Sequence, residues 1–372
     1  MDWAAWATAR LEEIRRAGRM RRTRSLDAAG PIGRLDDGPP VVSFASNDYL
    51  GLTQHPHVVA GARRALETWG AGSGSARLIV GSRPIHGALE DAIADWKNKD
   101  AALLFPNGYA ANLGVLSTFG TAGTLICSDE LNHASIVDGC RMARAAVAVY
   151  PHRDVDALDA LLSRAERGVV VTDSVFSMDG DVAPLADLAE VCRKHNALLV
   201  LDEAHAVLGP HPEVADDLDR IRVGTLSKFL GAMGGFVAAD RTFIDLLTNK
   251  ARPFIFTPAA SPADCGAARA ALEVLRSEEG GALVARLAAH VERVAPGHPS
   301  PIVPVLIGDE AAAVRASEHL VRKGFLVPAI RPPSVPPGTS RLRVTLSAAH
   351  TDEQVEGLLA ALQEIEPLSI GA

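Results

Sequence analysis

Between positions 101 and 239 the chain repeats one rhythm: a run of about five apolar residues, a polar break, then apolar positions three and four apart. The runs 101–105, 124–127, 146–150, 168–172, 197–201, 221–225 and 235–239 are apolar or glycine apart from Arg222 and the terminal Thr124, Thr172 and Thr225, so each predicts a buried strand, covered on both faces. Helical spacing over 156–167 and 184–196 falls between such runs and supplies the crossovers that parallel neighbours need. The pattern predicts a three-layer α/β domain with a mainly parallel sheet. In such sheets ligands sit beyond the carboxyl ends of the strands, so the polar residue after each run is where chemistry is to be sought.

Beyond Pro262 the rhythm changes. Alanine-rich helical spacing to about 294 leads into apolar runs at 302–307, 325–330 and 342–346, with helical spacing at 310–323 and 351–364, which predicts a smaller α+β domain. The proline-rich stretch 328–337 predicts a rigid extended loop. At the other end Trp3, Trp6 and Leu11 stand among many arginines, but Asp2, Glu12 and Glu13 interrupt them and no apolar segment with a small-residue cleavage site follows. This predicts an amphipathic helix packed on its own chain or on a partner subunit. The expected division is an N-terminal helix and arm over 1–44, a large domain over 45–260 and a small C-terminal domain over 261–372.

Composition narrows the function classes. A net charge of −8 offers no positive excess to displace counterions from duplex nucleic acid. Cys127, Cys140, Cys192 and Cys265 fall in no C-x-x-C or C-x-x-H pattern, which argues against a metal site and fits free thiols in a reducing cytoplasm. No apolar run approaches the roughly 18 residues of a membrane span.

Lysine usage gives the first chemical clue, because only 6 of the 37 basic residues are lysines. Lys228 lies in Gly224-Thr-Leu-Ser-Lys-Phe-Leu-Gly-Ala-Met-Gly-Gly235, with no acid nearby in sequence. A desolvated lysine has a lowered pKa, and its neutral amine can form a Schiff base with an aldehyde, which a guanidinium cannot. A surface lysine in a loop is the competing reading. The run 197–201 is followed by Asp202-Glu-Ala-His205, an acid and an imidazole at a strand's carboxyl end. The acid suits a protonated heterocyclic nitrogen, or alternatively a helix cap.

Taken together, Asp202-x-x-His205 after a strand and Thr225-x-x-Lys228 before a glycine-rich segment resemble fold-type I pyridoxal 5′-phosphate enzymes, and within them the α-oxoamine synthases. The resemblance runs through Asn47-Asp-Tyr-Leu-Gly-Leu52, Gly72-Ser-Gly-Ser-Ala-Arg-Leu78, His86-Gly-Ala-Leu-Glu90, Asn107-Gly-Tyr-Ala-Ala-Asn112, Asp129-Glu-Leu-Asn-His-Ala-Ser135, Val175-Phe-Ser-Met-Asp-Gly-Asp181 and Arg341-Leu-Arg-Val-Thr-Leu-Ser-Ala-Ala-His350. It implies a large cofactor-binding domain and a catalytic set of Lys228, His133, Asp202 and His205. Lys228 would carry the cofactor and act as base, Asp202 would keep the pyridine nitrogen protonated, His205 would bond the ring's phenolic oxygen, and His133 would stack on the ring. The resemblance also implies phosphate donors at Gly108 and Tyr109, at Thr225, and at Thr257 from a neighbouring subunit, with Ser177 beside the cofactor. A homodimer with shared active sites follows. The loop Gly70-Ala-Gly-Ser-Gly74 lacks the ending of a nucleotide-phosphate loop and is expected to form a tight turn.

Members of this family join an amino acid to an acyl thioester and release carbon dioxide. Arg343 matches the arginine that meets the amino-acid carboxylate, and Arg21, Asn47, His133 and Ser334 match substrate contacts. Ile330-Arg-Pro-Pro-Ser-Val-Pro336 is similar to the branch whose acyl chain itself ends in a carboxylate, which Arg331 would meet; a solvated Arg331 is the alternative. The resemblance therefore implies condensation of L-alanine with a pimeloyl thioester, on coenzyme A or an acyl carrier protein, in biotin biosynthesis. The alternatives are a glycine-using synthase of the 2-amino-3-ketobutyrate or 5-aminolevulinate type, and a non-catalytic partner subunit, although the latter lacks the lysine present here as Lys228.

Overall fold

The computed structural model describes residues 2–209, 218–365 and 369–370. A helix Trp3–Arg16 leads into a short antiparallel arm, β1 (Leu26–Ala28), β2 (Ile32–Leu35) and β3 (Pro40–Ser43). The central sheet follows: β4 (Ala101–Phe105), β5 (Leu125–Asp129), β6 (Ala146–Tyr150), β7 (Gly168–Asp173), β8 (Leu198–Asp202), β9 (Arg220–Thr225) and β10 (Gly235–Ala239), in the order β4-β10-β9-β8-β7-β5-β6. Only β10 runs against its neighbours. All seven apolar runs are strands of this one sheet.

Alternate residues along the strands feed opposite faces, as a period of two requires. Val169, Val171, Val200 and Val223 pack on one side with Val115, Leu116 and Leu247, while Val170, Leu199 and Leu201 pack on the other with Leu188 and Cys192. Two boundaries move for the same reason. Strands β7 and β8 each extend one residue past their apolar run, because Asp173 and Asp202 still pair across the ladder. A third expectation fails: β6 is not covered on both faces, and Val147 and Val149 are exposed because this strand forms the sheet's edge.

The C-terminal part contains the helices Pro262–Leu275 and Glu278–Val294, then β11 (Ile302–Gly308), which pairs antiparallel with the later Ser340–Thr345 strand. The run 325–330, expected as one strand, is two. β12 (Phe325–Leu326) pairs parallel with β3, and β13 (Ala329–Ile330) pairs with β14 (Ser340–Thr345). Pro328 has no N–H to give a ladder, and its carbonyl accepts from the Arg343 backbone N–H, so the chain changes sheets there. The N-terminal helix contains Trp3, Trp6 and Leu11 and buries no residue against the rest of the chain. Gly180 (φ 72°) closes the turn after β7. A Cβ there would stand 2.0 Å from the Ile302 carbonyl oxygen, so the turn and β11 approach only through glycine. None of the described helices is long and apolar enough to cross a membrane.

Candidate active site

The carboxyl ends of β8 and β9 lie side by side, and the residues that follow them converge. Asp202 ends β8, is buried, and accepts from the backbone N–H of Ala204 (2.9 Å) and from the Asn112 amide (2.7 Å). Three residues beyond β9, Lys228 Nζ lies 2.7 Å from His205 Nε2. Burial brings the Lys228 amine down to about 8, aided by Arg343 and opposed by Asp202 and Asp173. A nucleophilic amine is therefore accessible near neutral pH. His205 is pushed well below its ordinary value by burial and then by the charges of Lys228, Arg343 and His133. Its Nδ1 lies 2.5 Å from the Tyr49 hydroxyl, which donates to Asn47 Oδ1 (3.1 Å). Burial raises Tyr49 to about 12, so it stays a phenol.

His133 caps the helix Ala134–Met142, taking the Ser135 backbone N–H on Nδ1 (3.2 Å). Its own backbone N–H donates to Asp173 Oδ2 (2.7 Å) at the end of β7. Asp173 is fully enclosed, and burial together with the neighbouring Asp202 charge drives its carboxyl well above the usual carboxylate range.

The helix Gly108–Phe119 starts against this cluster, capped by Asn107, whose side chain accepts from Ala110 N–H (2.8 Å). Gly108 lies against β9, where an added Cβ would come 3.4 Å from Thr225 Cβ. Thr225 Oγ1 lies 2.7 Å from Ser227 Oγ and donates to the Gly234 carbonyl (3.0 Å). A glycine-lined helix N-terminus beside two hydroxyls is an anion seat. The donor set fits pyridoxal 5′-phosphate: an amine for its aldehyde, a carboxylate for its ring nitrogen and a helix start for its phosphate.

Arg343 on β14 reaches the same cleft. Its Nε donates to the Ser177 carbonyl (2.6 Å), and its terminal nitrogens donate to Thr345 Oγ1 (2.9 Å) and Asn47 Oδ1 (3.3 and 3.4 Å). Asn47 and Ser177 are thereby joined to the cluster. Arg21, Arg331 and Ser334 form a second group around a cavity of about 710 Å³, walled by Leu11, Ile14, Met20, Ile330, Pro332 and Pro333 and edged also by Arg19. Arg331 there donates to the Gly18 carbonyl (3.1 Å).

Tyr109 is the second residue of the Gly108–Phe119 helix, so its backbone N–H belongs to the first turn, while its exposed side chain turns away and its hydroxyl donates to the Asp138 carboxylate. Thr257, expected to serve a neighbouring subunit, lies beside Arg77, Phe105 and Phe254. Among the described residues neither hydrogen-bonds to Lys228, Asp202 or Thr225. Conversely, Tyr49, Asn112, Ser135 and Asp173 belong to the cluster although motif reading did not single them out. Asp173 was discoverable, being the polar residue directly after an apolar run. The other three lie inside motifs already quoted, but only the folded chain shows what they touch.

A family model for class I and II aminotransferases matches residues 39–362. A protein of Anaeromyxobacter dehalogenans named 8-amino-7-oxononanoate synthase is 49% identical, over 97% of this chain and 96% of that protein. One of the same name from Methylobacterium nodulans is 44% identical over 97% and 96%. Among solved structures, the serine palmitoyltransferase of Sphingomonas wittichii superposes with a TM-score of 0.90 at 30% identity, covering 98% of each chain. A serine palmitoyltransferase variant from S. paucimobilis, solved with a bound PLP–myriocin aldimine, superposes equally well, with a TM-score of 0.90 at 28% identity over 98% of each chain. The 8-amino-7-oxononanoate synthase of Francisella tularensis, at 24% identity and a TM-score of 0.73, shares the fold. The chain belongs to the class I and II aminotransferase family of pyridoxal 5′-phosphate enzymes with the type I fold, in its 8-amino-7-oxononanoate synthase branch.

Proposed function

We infer that this chain condenses L-alanine with a pimeloyl thioester, releasing carbon dioxide and the free thiol and giving 8-amino-7-oxononanoate for biotin synthesis. The observation that carries the reading is the Lys228 amine, 2.7 Å from His205 and beside Asp202, in a chain 49% identical to a synthase of that name. Bound pyridoxal 5′-phosphate supplies an electrophilic aldehyde and a ring that accepts electrons from the bond being broken.

The chain's own residues do the rest. Lys228 Nζ takes the α-proton of alanine and returns it, a task suited to an amine tuned to about 8. Asp202, its orientation held by Asn112 and the Ala204 N–H, would keep a proton on the ring nitrogen by a charge-assisted hydrogen bond. His205 orients Lys228 and would meet the ring oxygen, and His133 would cover the ring. Gly108 and Tyr109, through the helix-start N–H groups, and Thr225 would hold the phosphate, with Ser177 beside the cofactor. Arg343 and Asn47 receive the amino-acid carboxylate, and the apolar cavity edged by Arg21, Arg331 and Ser334 takes the acyl chain with its distal carboxylate.

Residues 45–260 would form the cofactor-binding domain, with an N-terminal helix and arm over 1–44 and a smaller C-terminal domain over 261–372. Ile79, Val80 and Phe256 are 74%, 69% and 67% exposed, apolar surface that supports a homodimer in which Thr257 serves the neighbouring subunit's phosphate. Four buried free cysteines accord with work in the cytoplasm. The test is an assay of purified protein with alanine or glycine against pimeloyl-, acetyl- and succinyl-CoA. Turnover of alanine with the pimeloyl donor is expected; a preference for glycine with a short acyl group overturns the reading.

A further inference from the structure

Asn112 sits between Asp202 and Ser135, and its hydrogen bonds have only one consistent direction. The Asp202 carboxylate accepts only, so the atom 2.7 Å from its Oδ2 is the Asn112 amide nitrogen. The other hydrogen of that amide goes to Ser135 Oγ at 2.9 Å. This orientation leaves Asn112 Oδ1 buried with no hydrogen-bond partner among the described residues, a cost that the contact with Asp202 imposes. Ser135 Oγ lies 2.7 Å from His133 Nδ1 and, with two lone pairs and one hydrogen, is able to give or to take a hydrogen there. The Ser135 backbone N–H points at the same nitrogen from 3.2 Å, and an N–H cannot accept. A hydrogen on His133 Nδ1 would therefore face another donor.

We propose that Asn112 and Ser135 are positioning residues whose hydrogen bonds, anchored on Asp202, hold His133 as the neutral tautomer protonated on Nε2. The two nitrogens of His133 are then assigned different work. Nδ1 is committed to the helix cap, and Nε2–H, which no described protein group accepts, is left for an oxygen in the cleft: a carboxylate or the thioester carbonyl. A thioester carbonyl gains negative charge as carbon attacks it, and a neutral donor fixed in place stabilises that charge without giving up its proton. The groups facing His133 are Asp202 on β8, Asp173 on β7, which takes its backbone N–H, Lys228 beyond β9, and His205. Desolvation pushes His133 below its ordinary value, with Lys228 adding to this and Asp202 opposing it, so the neutral form persists at neutral pH.

The catalytic consequence rests on the proposed reaction; the tautomer does not. The test is long-range ¹H–¹⁵N correlation on holoenzyme labelled at histidine, with His133 assigned through His133→Gln. Parent protein should show a protonated Nε2 and a bare Nδ1. Ser135→Ala should add the Nδ1–H form, and Ser135→Thr, which keeps the hydroxyl, should restore the parent pattern. With the acyl donor turned over, Ser135→Ala should lower kcat by about tenfold with KM nearly unchanged, as loss of one hydrogen bond predicts. The acid limb of its pH profile should move up, because both bonds into Nδ1 favour the neutral ring. A protonated Nδ1 in the parent, or an unchanged pattern in Ser135→Ala and in Asn112→Leu alike, overturns the proposal. The spectra need no choice of acyl donor, so a failed substrate assignment and a failed relay are told apart.

Discussion

The two groups of candidate residues are built in opposite ways. Around Lys228 the functional atoms come from strand ends and the turns directly after them, and Asp202, Asp173 and His205 are buried and pinned by bonds of 2.5–2.9 Å. Around Arg331 the walls are an N-terminal helix with no buried residue and a proline-rich loop, and Arg21 and Ser334 are exposed. The first arrangement suits chemistry that tolerates little displacement, since misplacing a reacting group is costly. The second suits recognition of a flexible chain ending in a charge. Damage to the first should therefore appear in kcat, and damage to the second in KM for one substrate.

The largest effect expected is that of Lys228→Ala. It removes both the amine that meets the aldehyde and the base, and general acid–base catalysis alone is worth about 10²–10⁴-fold. Turnover should fall at least that far, and the visible absorption of the lysine-bound cofactor should vanish after dialysis. Retention of either places the chemistry elsewhere.

Much of the strand-end cluster was legible because its residues follow apolar runs. Asp202, His205 and Thr225 stand where a run ends, and Lys228 stood out as one of only six lysines in a chain that mostly uses arginine. Tyr49, Asn112 and Ser135 were not, because each acts through a partner at least 23 residues away that only packing brings near. The split of 325–330 was hidden likewise, since an apolar run does not say which sheet each residue will join. The edge position of β6 depends on strand order, which composition does not encode. The Tyr109 backbone N–H at a helix start was legible; that its hydroxyl goes to Asp138 was not.

A second way to sharpen the contrast is pH. His152 bridges Asp129 (3.0 Å) and Asp181 (2.8 Å), and its ring stands edge-on to Phe176 with centroids 4.4 Å apart. Desolvation pushes it down, but the hydrogen bonds and charges of Asp129 and Asp181 outweigh this and raise it to about 9. A histidine bound more tightly when protonated contributes stability that is complete below its unfolded value near 6.5 and is lost as pH rises through about 9. The contribution is about 3 kcal/mol. Lys228, lowered from 10.5 to about 8, acts in the opposite sense between those values but is common to both proteins in the comparison. Urea melts of parent and His152→Leu should differ by this amount at pH 6 and converge above pH 9. A constant difference means the clamp on the 177–181 turn does not depend on charge.

Arg331→Ala tests the other region. Loss of one charged contact should raise KM for a pimeloyl donor by about tenfold or more, leaving kcat and a donor with an uncharged acyl chain unaffected. Equal effects on both donors would reduce Arg331 to a tether for the Gly18 carbonyl, to which it donates at 3.1 Å.

The smallest expected effect decides how open that second region is. Arg19 and Glu310 form a two-point ion pair of 2.5 and 3.1 Å that ties the segment after the N-terminal helix to the C-terminal part. Their side chains are 40% and 29% exposed, and water and salt screen such a pair. Glu310→Gln should therefore change the Tm by no more than about 1 °C, and KM for the pimeloyl donor by less than about twofold, at roughly 0.15 M salt. At low salt the freed Arg19 adds positive charge at the cavity's edge, so any change in KM should be a decrease for the dicarboxylic donor alone. A loss of several degrees at physiological salt would show this segment to be held as firmly as the strand ends, and the division between a rigid chemical centre and an adaptable recognition surface would fail at that point.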